Sequence, residues 1–235
     1  MTGYSARNGR PLGQTVALLA PLFALLEYLK LAYTSFFRDV EVLDAIGSIV
    51  VPWASAQREM KIWDAGCATG EEAYSLAMVF AERLDPFTIR NVRIMATDRE
   101  ESGFPQFEAR VTQGRYHRQE LQWIPAELRA IYFQPTEDEE VFEAVATLKD
   151  CIRYLRHDLV SLEPVDSGFA LVVCKNVLMH ISPPLQPQVI TMFHQALRPG
   201  GYLAFDTFQE LPAENRDQFE LVEDGLKLFR KRSES

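Results

Sequence analysis

Asp64-Ala65-Gly66-Cys67-Ala68-Thr69-Gly70-Glu71-Glu72 is the stretch on which the fold turns. It closes a short apolar run, residues 61–65, that reads as a buried strand. It opens residues 71–84, where Tyr74, Leu76, Ala77, Val79 and Phe80 recur at helical spacing. A strand, a turn of small residues and a helix, in that order, form the first unit of an α/β sheet. The small residues let backbone approach a ligand, and glycine removes the Cβ that would block it. Free N–H groups at the helix start suit a carboxylate, whereas Glu71 and Glu72 are poor neighbours for a phosphate. A ligand with both anionic and cationic groups fits. So does a purely structural turn, in which the two glutamates favour the first helical turn.

Reading outward, residues 92–97 form a second strand that ends in Asp98. An acid at this place in a Rossmann-like domain accepts hydrogen bonds from ribose hydroxyls, which tips the balance toward a ligand. S-adenosylmethionine (SAM) carries a ribose, a carboxylate, an ammonium and a sulfonium. Residues 169–174 are apolar throughout and lead into Lys175-Asn176-Val177-Leu178-Met179-His180. Ligands of open α/β sheets sit at the carboxyl ends of strands, so Lys175, Asn176 and His180 belong near the site. For His180 a plain surface or core role is an equal reading. A helix over residues 185–197, the turn Pro199-Gly200-Gly201, a strand at 202–205 and a last strand at 226–230 complete the alternation. Before the core, residues 15–31 and 36–51 show helical apolar spacing. Residues 101–113 read as a helix closed by Gly114. Two strand-like runs, 140–147 and 151–156, read as a small antiparallel insertion whose second strand leads back toward the main sheet. The expected architecture is α/β: a Rossmann-like SAM-binding fold, residues 60–235, with a β insertion near 131–157 and a short helical segment, 1–59, in front.

The bulk properties narrow the classes. Across 235 residues the net charge is −9, against a nucleic-acid binder, which needs a basic face. Three cysteines, Cys67, Cys151 and Cys174, without a CxxC pair, suit reduced thiols in a cytoplasmic protein. The four histidines lack HxxxH or HExxH spacing, so no metal is expected. The apolar stretch 16–29 contains Pro21 and Glu27 and falls short of the roughly 20 residues a membrane span needs, so no stable membrane insertion is expected.

The motifs together resemble a known family. Thr34-Ser35-Phe36-Phe37-Arg38 is similar to the T-x-F-F-R of CheR-type chemotaxis-receptor glutamate methyltransferases. Gly66 to Ser75, GCATGEEAYS, resembles their SAM loop. Ala96-Thr97-Asp98, Gly114-Arg115-Tyr116, His157-Asp158-Leu159, Cys174-Lys175-Asn176-Val177 and Leu197-Arg198-Pro199-Gly200-Gly201 resemble, in order, its A-T-D, G-x-Y, (H)-N/D-L, C-R-N-V and L-x-P-G-G. The resemblance implies that Thr34 and Arg38 reach over the sulfur and carboxylate region of SAM. It implies that Ala65, Gly66 and Glu71 line the methionine end, and that Asp98 holds the ribose. Asp158 and Leu159 flank the adenine, with Asn176 and Val177 on its other side. Arg38 and His180 are the candidates for work on the acceptor, His180 standing where the family places a tyrosine.

The implied activity is methyl transfer from SAM to glutamate side chains of the cytoplasmic domain of methyl-accepting chemotaxis receptors. A methyltransferase of the same fold acting on another acceptor, and a non-catalytic SAM-binding module, are the alternatives. Two departures bear on the partner. The family's basic N-terminal helical domain is largely missing, and the insertion carries Thr136-Glu137-Asp138-Glu139-Glu140 where peptide-docking members carry glycine and arginine. The acidic insertion argues against docking of a receptor's C-terminal pentapeptide.

Overall fold

The computed structural model describes residues 34–99 and 107–232, all within one compact unit that begins at Thr34. The helical segment expected at 15–31, the stretch 16–29 and the start of the helix expected at 101–113 lie outside the described residues. Among the described residues ten strands form two sheets. The larger holds β1 (Met60–Ala65), β2 (Val92–Asp98), β6 (Ile152–Arg156), β7 (Phe169–Cys174), β8 (Leu197–Phe205), β9 (Phe219–Leu221) and β10 (Leu228–Lys231), in the order β6-β2-β1-β7-β8-β10-β9. The first five strands in that order are parallel; β10 runs antiparallel to both β8 and β9. The order reverses at β1, which has β2 on one side and β7 on the other. In open parallel sheets the ligand crevice forms at this switch point, beyond the carboxyl ends of the strands.

The residues build this sheet by alternation. Ile62 of β1, Val173 of β7 and Ala204 of β8 face one apolar cluster. Trp63, Val172 and Leu203, one position away, face the other. Covering both faces explains why the run Phe-Ala-Leu-Val-Val-Cys of β7 is buried at every position. One layer contains α1 (Val40–Ala45), a π turn (Ile46–Val50), α2 (Val51–Ser55) and α3 (Glu71–Ala81). The opposite layer contains α7 (Gln186–Ala196), whose Val189, Ile190 and Phe193 are fully buried. Each such side chain contributes about 1.5–3 kcal/mol relative to exposure.

Residues 40–55 share the core with β1 and α3. One expectation changes in position. The small antiparallel sheet has the order β3-β5-β4, built from β3 (Arg115–His117), β4 (Phe133–Pro135) and β5 (Val141–Ala144). The second run, expected to close this insertion and lead back toward the main sheet, is β6, which lies wholly in the main sheet beside β2. Between them the chain turns through the short helix α6 (Ala146–Lys149). The helix α4 (Phe107–Gln113) precedes β3, and α5 (Ala126–Tyr132) precedes β4.

Candidate active site

The loop after β1 is held from three sides. Gly66 N and Cys67 N both donate to the Thr97 carbonyl, at 2.8 and 2.9 Å, which ties the loop to β2. Ala68 N donates to Asp98 Oδ2 at 2.8 Å, and Arg99 N donates to Asp98 Oδ1 at 2.7 Å. The Tyr116 hydroxyl donates to the Thr69 carbonyl at 2.9 Å, so the small sheet props up the loop. Gly66 has φ 109°, and a Cβ there would lie 2.1 Å from Val177 Cγ2. Only glycine lets the chain leaving β7 pack this closely over the loop. Ala65, the last residue of β1, is buried beneath it.

The two glutamates that open α3 diverge. Glu71 accepts from Thr69 Oγ1 at 2.7 Å and lies 3.8 Å from Arg110, which itself pairs with Glu120 at 2.6 Å. Burial raises the Glu71 pKa, while the Thr69 bond and the Arg110 charge oppose the rise. Glu72 pairs with Lys175 Nζ at 2.8 Å.

Lys175 is the centre of a buried charge cluster. Its side chain is 2% exposed, and its ammonium also donates to the Arg38 carbonyl at 2.7 Å and meets Asp39 Oδ2 at 3.4 Å. Burial works against the charge, but Glu72 and Asp39 outweigh it and the Lys175 pKa is raised. Asp64, at the end of β1, is fully buried, and neither of its carboxylate oxygens has a donor among the described residues. Burial lifts its pKa well above the usual carboxylate range, and Glu72 adds to the rise while Lys175 opposes it. Burial likewise pushes the thiols of Cys67 and Cys174 well up, which removes them as nucleophiles.

The remaining candidates gather along the same edge. Asn176 has φ 58°; its backbone N–H donates to Asp206 Oδ2 at 2.9 Å, and its own side-chain oxygen is buried without a partner among the described residues. Asp158 follows β6, accepts from Val160 N at 3.1 Å and lies 3.5 Å from Arg99, the neighbour of Asp98. Leu159 is buried beside it. Arg38 is brought in through its carbonyl. Thr34 is half-buried at the start of the described chain. His180 is exposed on the one-turn 3₁₀ helix after Val177 and is tied in by its backbone N–H to the Val177 carbonyl at 2.9 Å. Sequence reasoning placed Lys175 and the Glu71-Glu72 pair near the site but assigned no role to Asp64, Asp39 and Asp206. The available signal was a charged residue closing each of two otherwise apolar strand runs.

Strain marks the same region. Phe37, Asp39, Ala68 and Asn176 all adopt left-handed φ without being glycine. Such residues persist where surrounding contacts over-determine them, commonly at ligand sites.

SAM fits what these residues leave open. The unpartnered oxygens of Asp64 and Asn176 await donors. The Gly66 backbone offers close approach, and the acid at the β2 terminus sits where a ribose would. Among the described residues no His/Cys/Asp/Glu group can hold a metal ion. Fold and site together define a SAM-dependent methyltransferase. Residues 32–226 match the family model described as CheR methyltransferase, SAM binding domain, and the chain belongs to that family. A chemotaxis protein methyltransferase of Listeria monocytogenes is 31% identical over 172 residues, 72% of this chain and 62% of the relative, so this chain spans less than two thirds of that protein's length. A chemotaxis protein methyltransferase of Vibrio anguillarum is 28% identical over 193 residues, covering 80% of this chain and 68% of the relative. Among solved structures, a methyltransferase from Geobacter sulfurreducens overlays with a TM-score of 0.46 at 10% identity, over 97% of this chain and 92% of that one.

Proposed function

We propose that this chain methylates glutamate side chains of chemotaxis receptors, producing γ-methyl esters in the cytoplasm. One observation supports this above the others: the segment Thr34 to Arg38 is folded onto the carboxyl edge of the sheet, through Lys175 to the Arg38 carbonyl and through Ser75 Oγ to the Phe37 N–H at 2.9 Å. That segment carries the T-x-F-F-R resemblance, which together with GEEAYS and C-K-N-V points to this family more specifically than the fold does.

Bound SAM supplies an electrophilic methyl on a sulfonium. The chain's residues do the rest. In this reading Asp98 holds the ribose, Asp158, Leu159, Asn176 and Val177 enclose the base, and Ala65, Gly66 and Glu71 line the methionine end. A glutamate acceptor has an ordinary pKa of about 4.3 and is ionised at neutral pH, so no strong base is required. Alignment of the nucleophile and exclusion of water are the enzyme's contributions. Thr34 and Arg38 reach over the sulfur and carboxylate region of SAM; Arg38 also steers the incoming carboxylate, and His180 hydrogen-bonds it.

The tip of the small sheet, residues 137–140, is exposed and acidic, and its neighbour Arg118 is engaged by the Glu139 carbonyl at 2.9 Å and Glu140 at 3.6 Å. Such a tip repels a peptide carboxylate, so the receptor is engaged elsewhere than through a C-terminal pentapeptide on this hairpin. The test is incubation with radiolabelled SAM and receptor cytoplasmic domains, followed by base. Release of volatile labelled methanol is expected, because a glutamyl methyl ester hydrolyses in alkali. Label that enters protein and resists base rejects the glutamate reading and turns the search to N- or ether-methylated acceptors. Absence of any transfer, with SAM bound, favours a binding module.

A further inference from the structure

We propose that Lys175 is a positioning residue: its ammonium straps the turn Phe37-Arg38-Asp39 to the cofactor face and thereby sets the place of Arg38. Its nitrogen makes one hydrogen bond and two ion pairs, and the three partners come from two different segments. Glu72 Oε2 lies in the first turn of α3 at 2.8 Å, while the Arg38 carbonyl at 2.7 Å and Asp39 Oδ2 at 3.4 Å belong to the turn before α1. Lys175 itself follows β7. One buried nitrogen therefore joins the two strands' crevice to a segment 137 positions away in sequence.

The turn needs such a tie. Phe37 has φ 52° and Asp39 φ 55°, so Arg38 sits between two left-handed residues that are not glycine. A free chain does not hold that conformation. Three other contacts assist. Ser75 Oγ accepts from Phe37 N at 2.9 Å and donates to the Glu71 carbonyl at 2.6 Å, and Thr207 Oγ1 lies 3.4 Å from Asp39 Oδ1. Of the four, only the lysine supplies charge, and because it is buried its attraction for Glu72 and Asp39 escapes screening by salt. Removing it leaves two partly buried carboxylates without their counter-charge and the Arg38 carbonyl without its donor.

The coupling of the strap to the site rests on the reading of Arg38 given above; the strap itself does not. Two measurements on the full chain separate them. In Lys175→Met, hydrogen exchange over residues 34–44 is expected to accelerate by about tenfold or more, while β1 and β2 keep their protection. Unchanged exchange over 34–44, or an equal rise through the whole sheet, overturns the strap. Arg38→Ala is expected to weaken SAM binding in the parent protein but to have less than about a twofold effect in the Lys175→Met background, because residues that act as a unit are not additive. Losses that multiply in the double variant overturn the coupling. Local exchange with Arg38→Ala silent even in the parent supports the strap and rejects the role of Arg38 toward SAM. Should Lys175→Met fail to fold, Lys175→Met combined with Glu72→Gln removes one orphaned charge and carries the same measurements.

Discussion

The two ends of the main sheet are built to different rules. At the amino end, charge is placed where water can reach it. Lys61 pairs with Asp166 at 2.6 Å on side chains 25% and 42% exposed, and Arg198 donates to the carbonyls of Gly168 and Glu59. Gln57, Arg58, Glu59, Asn91, Arg93 and Arg198 line an open groove there. At the carboxyl end, Asp64, Glu71, Lys175 and Asp206 are all buried, and Ala68 and Asn176 stand in left-handed conformations beside them. Nothing in the strands between explains the contrast, since both ends share the same apolar alternation. One end closes its strands with solvated charge; the other holds buried charge and left-handed backbone, features that gather at ligand sites.

The contrast is testable, and the largest effect should fall at Asp98. Replacing it by alanine deletes the acceptor of the Ala68 and Arg99 N–H groups and the proposed ribose acceptor. Hydrogen bonds to a charged group contribute about 1.5–3 kcal/mol, so SAM affinity should fall roughly 10- to 150-fold with far-UV circular dichroism unchanged. Calorimetric titration reads it, and unaltered affinity in a folded variant removes Asp98 from the site.

Asp64 gives a prediction about pH. Its folded pKa is raised, first by burial and then by Glu72. Above the unfolded value of about 3.9 the unfolded chain has released this proton while the folded chain still holds it. Stability must therefore fall as pH rises from that value toward the folded pKa, by up to about 1.4 kcal/mol per pH unit for one proton. Asp64→Asn, which cannot titrate, should flatten this dependence in denaturant melts taken at several pH values. An identical slope in the variant means that Asp64 is ionised in the fold.

His180→Ala should lower turnover by roughly tenfold, the loss of about one hydrogen bond to the reacting group, and change SAM affinity little. Parallel losses in both would place His180 with the cofactor rather than the acceptor. The smallest effect belongs to the other end of the sheet. Lys61→Ala should cost at most about 1 kcal/mol of stability, fading at high salt, and should leave SAM binding alone. A change in SAM affinity there would show that the two ends are coupled and that the contrast drawn between them is false.

Much of this was open to reading along the chain. Alternating strand and helix follow from the period of apolar residues, a local property. The loop from Gly66 and the acid at Asp98 declare themselves because each sits at the end of a recognisable strand. The family motifs named Arg38, Asn176 and Asp158, and those residues do lie along one edge. Other features could not be read this way. Glu71 and Glu72 are adjacent and identical in type, yet one turns to Thr69 and Arg110 and the other to Lys175. Successive helical positions point about 100° apart, and which direction meets a partner depends on what the rest of the chain has placed there.

By itself, then, the order of residues determined a parallel α/β sheet, its switch-point loop and the kind of ligand that loop admits, because strand, turn and helix preferences act within a few positions. Only the tertiary structure decided that β6 pairs with β2 and leaves the small sheet, that Asp64 is sealed beside Glu72, and that Lys175 reaches back 137 positions to the Arg38 carbonyl. The physical reason is that a side chain's charge state and partner depend on burial and neighbours, and those are supplied by segments distant in sequence that meet only when the sheet closes.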